Sequence, residues 1–189
     1  LLLSVKLSAH LRKNCQAQRI GIVLPPGLAG TIANLAIFFA GKTPVNLNFS
    51  LGSSVAEKLI RKAEIKTIIT AEKMIDKFHD FPLPTDVCEI SAWLKNLAKK
   101  PYQLLKEALI LKLPITLSRF FLKIPTRSTT KEATILFTSG SSGDPKGVVL
   151  SHQNILSNCS QINQLSLFDK DASLLANLPL FHSFGFTVS

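Results

Sequence analysis

Residues Ala133–His152 read ATILFTSGSSGDPKGVVLSH, which places a loop of hydroxyl side chains and glycines between an apolar run rich in β-formers and a second, short apolar run. Glycine permits positive φ angles and close backbone approach, so main-chain N–H groups of the loop can converge on an anion. The hydroxyl groups add donors, Lys146 adds a mobile positive charge, and Pro145 stiffens the exit from the loop. The stretch therefore predicts a phosphate-binding loop. Its hydroxyl and glycine residues are Thr138, Ser139, Gly140, Ser141, Ser142, Gly143 and Gly147.

Three other kinds of loop fit this stretch less well. The P-loop of the large NTPase class needs a Gly-Lys pair, whereas Lys146 precedes Gly147 here. A nucleophile elbow requires glycine at position 144, which is Asp144. A flexible linker would fit Ser139–Gly143 alone, but a linker has no reason to lie between strand-like runs and to be followed by Asp-Pro-Lys-Gly. The phosphate-binding loop is the favoured interpretation.

The ordered run Thr138–Gly147 resembles the phosphate-loop signature of the AMP-forming adenylating enzymes, which include acyl-CoA synthetases, acyl-ACP synthetases, luciferases and the adenylation domains of peptide synthetases. Ser151 and His152 after the second apolar run agree with this resemblance, as does Pro179–Gly185, which reads PLFHSFG. The resemblance implies a layered α/β fold of mostly parallel sheets with flanking helices. It also implies that residues 1–189 are a partial N-terminal AMP-binding domain, without the C-terminal lid domain.

The resemblance further implies the chemistry of the loop. In this family a carboxylate attacks the α-phosphorus of ATP, an acyl adenylate forms and pyrophosphate leaves, so donors and a cation placed at the leaving group lower the barrier. On this basis Ser141, Ser142, Gly143 and Lys146 are expected to contact phosphate, with Lys146 in a catalytic role. Thr138 is expected to support the loop and to contact phosphate or Mg²⁺.

Phe181 and His182 lie directly after a predicted strand, in the segment that borders the acyl and adenylate pocket of the family. The resemblance therefore assigns both residues to the wall or gate of that pocket and gives His182 a catalytic role. From the residues alone a structural, hydrogen-bonding histidine would be preferred. Because later motifs of the family would lie beyond Ser189, this chain by itself is expected to be inactive.

The composition supports one sizeable core, since 46% of the 189 residues are hydrophobic. A chain that opens at Leu1 without an initiator Met and stops at Ser189 in mid-pattern is expected to be a piece of a longer polypeptide. Three widely spaced cysteines predict reduced thiols in a cytoplasm. The sequence has no apolar run of about 18 residues, so no membrane span is predicted.

Residues 91–124 carry seven basic side chains and one acid, which is +6 of the net charge of +10. Large aliphatic and aromatic side chains, including Trp93 and Tyr102, fill the spaces between the cations. Such a stretch is typical of a segment on an anionic membrane surface, but a surface hairpin that packs its apolar side on the core fits equally well. The insertion and residues 41–52 are similar to the bacterial enzymes that combine acyl-ACP synthetase with 2-acylglycerophosphoethanolamine acyltransferase. Because those enzymes work at the inner membrane surface, the resemblance tilts the interpretation slightly towards peripheral binding there.

The predicted function is ATP-dependent activation of a fatty acid for transfer to acyl carrier protein or CoA, feeding phospholipid acylation. The alternative is a membrane- or carrier-binding module without catalysis of its own. A nucleic-acid partner is not expected, because the charge lies among aliphatic residues with few aromatics for base stacking. An acyltransferase site needs an aspartate five positions after a histidine, and this spacing occurs at none of the four histidines.

Hydrophobic periodicity predicts alternating strands and helices, and therefore a mostly parallel sheet. Strands are expected at 19–24, 43–48, 66–70, 133–138 and 173–178. Helices are expected at 1–14, 27–40, 71–78, 101–113 and 152–167, with another through Ala63 capped by Ser53 or Ser54. The rule that ligands bind beyond the carboxyl ends of parallel strands then places residues 140–146 at that edge.

Overall fold

The fold is that of a computed structural model, which describes residues 1–99, 101–126, 128–138, 145–165, 175 and 177–188. The strands are β1 (Arg19–Val23), β2 (Thr43–Asn46), β3 (Thr67–Thr70), β4 (Asp86–Glu89), β5 (Glu132–Thr138) and β6 (Lys146–Ser151). The helices are α1 (Leu2–Asn14), α2 (Leu28–Phe39), α3 (Ser53–Lys62), α4 (Glu72–Lys77), α5 (Ile90–Ala98), α6 (Leu105–Ile110), α7 (Ile115–Phe121), α8 (His152–Gln164) and α9 (Ser183–Val188). A short 3-10 helix, Pro101–Leu104, precedes α6.

Within the described residues, the first four strands form one parallel sheet in the order β2-β1-β3-β4. Ile20 of the interior strand β1 lies opposite Pro44 on one side and Thr67 on the other. Parallel neighbours need crossover connections, and α2, α3 and α4 supply them between successive strands. The predicted α/β fold with a parallel sheet and flanking helices is confirmed.

Alternate strand residues enter two different hydrophobic clusters, because successive side chains of a strand point to opposite faces. Ile20, Ile22 and Ile69 pack in a cluster with α1 and α2. Val23 and Ile68 pack in a second cluster, which contains residues of α3 and α4 and also reaches β5. The parallel sheet is therefore covered by helices on both faces.

Two residues that disfavour strands lie where the sheet tolerates them. Pro44 is in β2, the edge strand, where a missing N–H costs least. Gly21 is in the interior strand β1, where an added Cβ would lie 2.8 Å from Cγ1 of Ile68 and 3.1 Å from Cγ2 of Ile65. The close packing of the second cluster against β1 therefore requires glycine at this position.

Several local predictions differ from the structure. The residue that precedes α3 is Gly52, and no side chain caps this helix. Strand β4 was not predicted, because its four residues are only partly buried or exposed and show no apolar run. The helix predicted from Pro101 to Leu113 is instead the 3-10 helix followed by the short α6. Of the strand predicted at 173–178, the described residues 175, 177 and 178 are not in a strand.

Glu89 ends β4 and caps α5, because its carboxylate accepts hydrogen bonds from the backbone N–H groups of Ser91 at 2.8 Å and of Ala92. The same carboxylate accepts from the N–H of Glu72 at 3.0 Å, which ties the start of α4 to α5. Burial would raise the pKa of Glu89, but these donors together outweigh it and hold the pKa below its usual value. These contacts therefore favour the charged form of Glu89.

The helices show no candidate for a transmembrane segment in the part of the chain that the structure describes, since none is both long and apolar enough to cross a membrane.

Candidate active site

The phosphate-binding loop predicted from the sequence closes an antiparallel hairpin. Strand β5 pairs with β6, and Thr138 lies directly opposite Lys146 at the end from which the loop leaves. The Thr138 hydroxyl donates to the carbonyl oxygen of Lys146 at 3.5 Å. Both side chains are exposed, so a hydroxyl and an ammonium group stand at the two ends of the loop.

The hairpin corrects the sequence argument about the position of the loop. Among the described strands, β5 and β6 form a separate two-stranded sheet and are not members of the parallel sheet. The rule that ligands bind beyond the carboxyl ends of parallel strands therefore gives no position for this loop. The predicted contact residues Ser139, Gly140, Ser141, Ser142 and Gly143 lie outside the described residues, and their roles stay predictions.

Gly147 has a structural role beside Lys146. It lies opposite Phe137 in the hairpin, and an added Cβ would lie 3.1 Å from Cε1 of Phe137 and 3.2 Å from Cγ2 of Ile135. The absence of a side chain lets the Phe137 ring cover the backbone of β6. The glycine that follows the lysine therefore fits the packing of the strand that carries it.

Polar contacts hold the hairpin against the rest of the fold. Arg19 at the start of β1 binds Glu132 at the start of β5 with two hydrogen bonds, Nε to Oε1 at 2.9 Å and Nη2 to Oε2 at 2.8 Å. These hydrogen bonds raise the pKa of the Arg19 guanidinium above its ordinary value. Thr134 donates to the carbonyl oxygen of Pro44 at 2.7 Å and is buried. The two contacts fix β5 beside the edge strand β2.

A third contact reaches the loop side of the hairpin. The ammonium group of Lys62, at the end of α3, donates to the carbonyl oxygen of Pro145 at 3.1 Å. Sequence reasoning missed these contacts, because each of them joins a residue of the hairpin to one far away in the chain. Opposite charges were the signal: Arg19 begins one predicted strand, and Glu132 directly precedes another.

Phe181 and His182 lie together in a second part of the candidate site. Their rings are 4.8 Å apart between centroids, and Phe181 also contacts Phe49 edge-on at 5.6 Å. The backbone N–H of His182 donates to the carbonyl oxygen of Pro179 at 3.1 Å, and this bond closes a turn just before α9. The turn needs Gly185, since a Cβ there would overlap the carbonyl oxygen of Pro179.

This aromatic pair lies near the carboxyl ends of β1 and β2. Leu180 packs against the first turn of α2, where a Cβ on Gly30 would come within 2.9 Å of its Cδ1. Phe49, which contacts Phe181, follows β2 by three residues. The edge at which ligands of parallel α/β sheets bind is therefore where the structure places Phe181 and His182.

The two parts of the candidate site adjoin the same hydrophobic cluster. Phe137 of the hairpin and Phe49 beneath Phe181 both pack against it. In the described part of the chain, no hydrogen bond or ring contact joins His182 to Thr138 or Lys146. Among the described residues, the structure thus brings together the two members of each pair, and neighbours of both pairs pack against the same cluster.

The described residues do not supply the ligands of a self-contained metal site. They include no group of three or more His, Cys, Asp or Glu side chains that could hold a metal ion. Thr138 offers one hydroxyl oxygen, whereas Mg²⁺ prefers about six oxygen ligands and is bound mainly by carboxylates, phosphates and water. The chemistry of this donor fits Mg²⁺ only when phosphate oxygens and water complete the coordination.

Comparisons with known proteins concern the family and the fold of the chain. The family model described as "AMP-binding enzyme" matches residues 2–189. A long-chain-fatty-acid–CoA ligase of Bacillus subtilis (strain 168) is 27% identical over 97% of this chain and 37% of its own length. The medium-chain-fatty-acid–[acyl-carrier-protein] ligase JamA of Moorena producens (strain JHB) is 26% identical over 97% of this chain and 29% of its own. The chain thus spans about a third of the length of these curated relatives.

The fold is also found among solved structures. A fatty acyl-adenylate ligase from L. pneumophila, solved in complex with acyl adenylate and pyrophosphate, superposes with a TM-score of 0.72 at 19% identity. The match covers 98% of this chain and 30% of that one. At this level of identity the likeness concerns the fold.

Proposed function

Because the chain belongs to the AMP-binding enzyme family, we propose that it is the N-terminal part of an enzyme that uses ATP to activate a fatty acid as an acyl adenylate. The observation that carries this proposal is the β5–β6 hairpin, which sets Thr138 and Lys146 at the two ends of a loop rich in donors. The curated relatives support the class of acid, since both are named as fatty-acid ligases.

In the proposed reaction the loop binds the β- and γ-phosphates of ATP. The hydroxyls of Ser141 and Ser142 donate to the phosphate oxygens, as do backbone N–H groups of the loop, including that of Gly143. Ser139 and Gly140 complete the set of nucleotide-binding residues. Lys146 neutralises the negative charge that builds up on pyrophosphate as the carboxylate attacks the α-phosphorus. Mg²⁺ would arrive with the nucleotide and offset phosphate charge, and Thr138 would supply one of its oxygen ligands.

Phe181 and His182 are proposed to form a wall of the acyl and adenylate pocket. The exposed imidazole of His182 and the ring of Phe181 stand at the edge of the sheet where a ligand would enter. The flat, apolar ring of Phe181 suits contact with an acyl chain or an adenine, and the imidazole can donate a hydrogen bond to a carboxylate or phosphate oxygen. His182 would therefore orient the reacting groups.

The second half-reaction of the proposed enzyme transfers the acyl group to CoA or to acyl carrier protein. The two curated relatives are named for one acceptor each, so both remain within the proposal. Further sequence in the complete gene product would supply the lid domain and the remaining ligands. A subsequent transfer to a lysophospholipid would be carried by another part of that product, because this chain lacks the histidine and aspartate spacing of an acyltransferase.

The test is ATP–pyrophosphate exchange by the complete gene product with a series of fatty acids. We expect fatty-acid-dependent exchange, and we expect Lys146→Ala to lower its rate by about 100-fold, the loss typical of a group that stabilises transition-state charge. The matched control is Lys73→Ala, which removes an exposed lysine of α4 and should leave the rate unchanged. Exchange that needs no fatty acid, or equal rates in the two variants, would refute the proposal.

A further inference from the structure

Large apolar side chains are concentrated on the outside of α6 and α7. We call this the α6–α7 surface and define it by Tyr102, Leu105, Leu109, Ile115, Phe120 and Phe121. Ile115 and Phe120 are each 77% exposed, and the other four are between 55% and 69% exposed. So many exposed apolar side chains within 20 residues mark a surface that contacts a protein or a membrane.

Polar contacts hold the inner side of the same two helices. Lys6 of α1 forms an ion pair with Glu107 of α6 at 2.8 Å. Arg12 of α1 donates to the carbonyl oxygen of Leu122, just after α7, at 2.9 Å. The buried hydroxyl of Ser118 joins α7 to α6, because it donates to the carbonyl oxygens of Ile110 at 2.8 Å and of Leu113 at 2.9 Å. These bonds keep the apolar side facing outward.

This arrangement is the reverse of an ordinary surface hairpin. If the segment simply packed its apolar side on the core, its leucines and phenylalanines would be buried and its polar side chains would be exposed. Instead Glu107 and Ser118 face the body of the fold, and only Ser118 of α7 is buried. The structure divides residues 91–124 between the two interpretations open from the sequence. Trp93 and Leu94 of α5 pack on the core, whereas α6 and α7 direct large apolar side chains away from the described chain.

The charge around the surface is positive. Lys106, Lys112 and Lys123 are exposed, and Lys106 lines the groove between Leu105 and Leu109. Glu107 is the one acidic residue among residues 91–124, and it is paired with Lys6 on the inner side. The outward face therefore presents apolar groups and ammonium groups with no carboxylate from this segment, which is complementary to an anionic partner.

We propose that the α6–α7 surface docks on an anionic lipid bilayer. Leucine, isoleucine and phenylalanine side chains can enter the boundary between head groups and acyl chains, while the lysines contact lipid phosphates. An acidic protein, or further sequence of the gene product, would also cover an apolar face with lysines around it, because protein interfaces have apolar cores as well. The test below separates these occupants from a bilayer. The docking surface does not depend on the fatty-acid activation proposed above, and acid activation requires none of its residues.

The test is co-sedimentation of the complete gene product with vesicles. One set is pure phosphatidylcholine, and the other is an equimolar mixture of phosphatidylcholine and phosphatidylglycerol. We expect binding to the anionic vesicles, weakened at high salt. Ile115→Ser combined with Phe120→Ser should weaken it by at least about tenfold, because the apolar anchors are lost. Lys106→Gln combined with Lys112→Gln should weaken it about 25-fold, since each cation near an anionic surface contributes about fivefold.

The matched control for charge is Lys13→Gln combined with Lys73→Gln, which removes two exposed lysines elsewhere and should leave vesicle binding within about twofold. ATP–pyrophosphate exchange without vesicles should be equal in all variants, which verifies folding and separates this proposal from the proposed activity. If the wild type shows no ATP–pyrophosphate exchange, the proposed activity is refuted. The vesicle measurement still tests the docking surface independently.

Two results would overturn the bilayer as the partner. One is the absence of wild-type binding to anionic vesicles, or equal binding by the wild type and both α6–α7 variants. The other is unchanged vesicle binding together with weaker binding of acyl carrier protein by the same variants, which would assign the surface to an acidic protein. A third measurement tests insertion into the bilayer. Brominated acyl chains should quench the fluorescence of the tryptophan introduced by Phe120→Trp, and unchanged fluorescence of this tryptophan would contradict insertion.

Discussion

Lys146 and His182, the two residues given catalytic roles, occupy very different surroundings. Lys146 begins a paired strand and has Thr138 opposite, so its backbone position is set by the hairpin ladder. His182 follows a tight turn and has its ring against Phe181. The sequence identified both residues through motifs, but the packing of Phe137 and Phe49 beside them was not predicted.

Cys88 lies on β4 beside acidic neighbours, and its chemistry can be predicted. Burial, followed by the charges of Asp86 and Glu89, raises the pKa of the Cys88 thiol to about 11. Because the thiolate is the reactive form, we expect iodoacetamide to label Cys88 at pH 8 far more slowly than it labels the same cysteine in urea. Mass spectrometry of the labelled peptides measures both rates. Equally fast labelling in the two states would contradict the prediction.

Glu89 should make stability depend on pH. Its pKa in the folded state is lowered, whereas an unfolded glutamate titrates at about 4.3. The stabilisation is therefore fully present above that value and is lost as the pH falls through the lower, folded pKa. Glu89→Gln should lower the free energy of unfolding at pH 7 by about 0.5 kcal/mol, as expected for a partly exposed charge at a helix start.

Urea unfolding of the wild type and of Glu89→Gln at pH 7 and in strong acid measures this difference. The two proteins should differ at pH 7 and converge in acid. A difference that stays constant over this range would show that the charge of Glu89 is unimportant.

At the scale of elements, the β5–β6 hairpin is joined to the parallel sheet by side chains. The bidentate contact between Arg19 and Glu132 connects the starts of β1 and β5, and Thr134 adds a bond to Pro44 of β2. The position of β5 in the fold therefore depends on contacts near the end of the strand that lies away from Thr138.

Arg19→Lys tests this connection, because lysine keeps the charge but cannot form two parallel hydrogen bonds with one carboxylate. We expect the free energy of unfolding to fall by about 1 kcal/mol. The control is Arg61→Lys, which changes an exposed arginine on α3 and should have little effect. Thermal or urea denaturation provides the comparison, and equal stability of the two variants would show that the pair does not hold the hairpin.

The orientation of helices α6 and α7 also depends on side-chain contacts between elements. Their sequence is amphipathic, and amphipathicity by itself does not say which side faces the core. The ion pair of Lys6 with Glu107 and the hydrogen bonds of Ser118 decide the orientation. A polar inner side and an apolar outer side follow from these few bonds.

At the scale of the whole molecule, the described chain leaves apolar surface near the hairpin. Val148 and Val149 of β6 are 43% and 53% exposed, and Phe184 of α9 is 60% exposed. These residues lie in the parts of the chain that carry the candidate site. In the proposed enzyme, further sequence of the gene product would pack there.

We therefore predict that residues 1–189 alone support no ATP–pyrophosphate exchange, whereas the complete gene product does. The physical reason is that the described residues provide neither a carboxylate cluster for a metal nor a closed pocket around Lys146 and His182. Measured exchange by the isolated chain, at a rate comparable to that of the complete product, would refute this prediction.

The amino-acid sequence by itself determined the class of fold and the family. Both depend on local patterns: the alternation of strands and helices from Arg19 to Lys77, and the ordered loop from Thr138 to Gly147. Strand bounds were predicted well where an apolar run was long, as in β1 and β5. The short, partly exposed β4 was missed because it carries no such pattern.

Only the tertiary structure decided that β5 and β6 form a separate hairpin, that Phe181 and His182 lie at the carboxyl ends of β1 and β2, and that α6 and α7 turn their apolar side outward. Each of these depends on contacts between residues far apart in the chain, such as Arg19 with Glu132 and Lys6 with Glu107. A periodic pattern records which residues share a face of one element. It carries no information about the neighbour against which that face packs, because the partner is chosen by the three-dimensional arrangement of the whole chain.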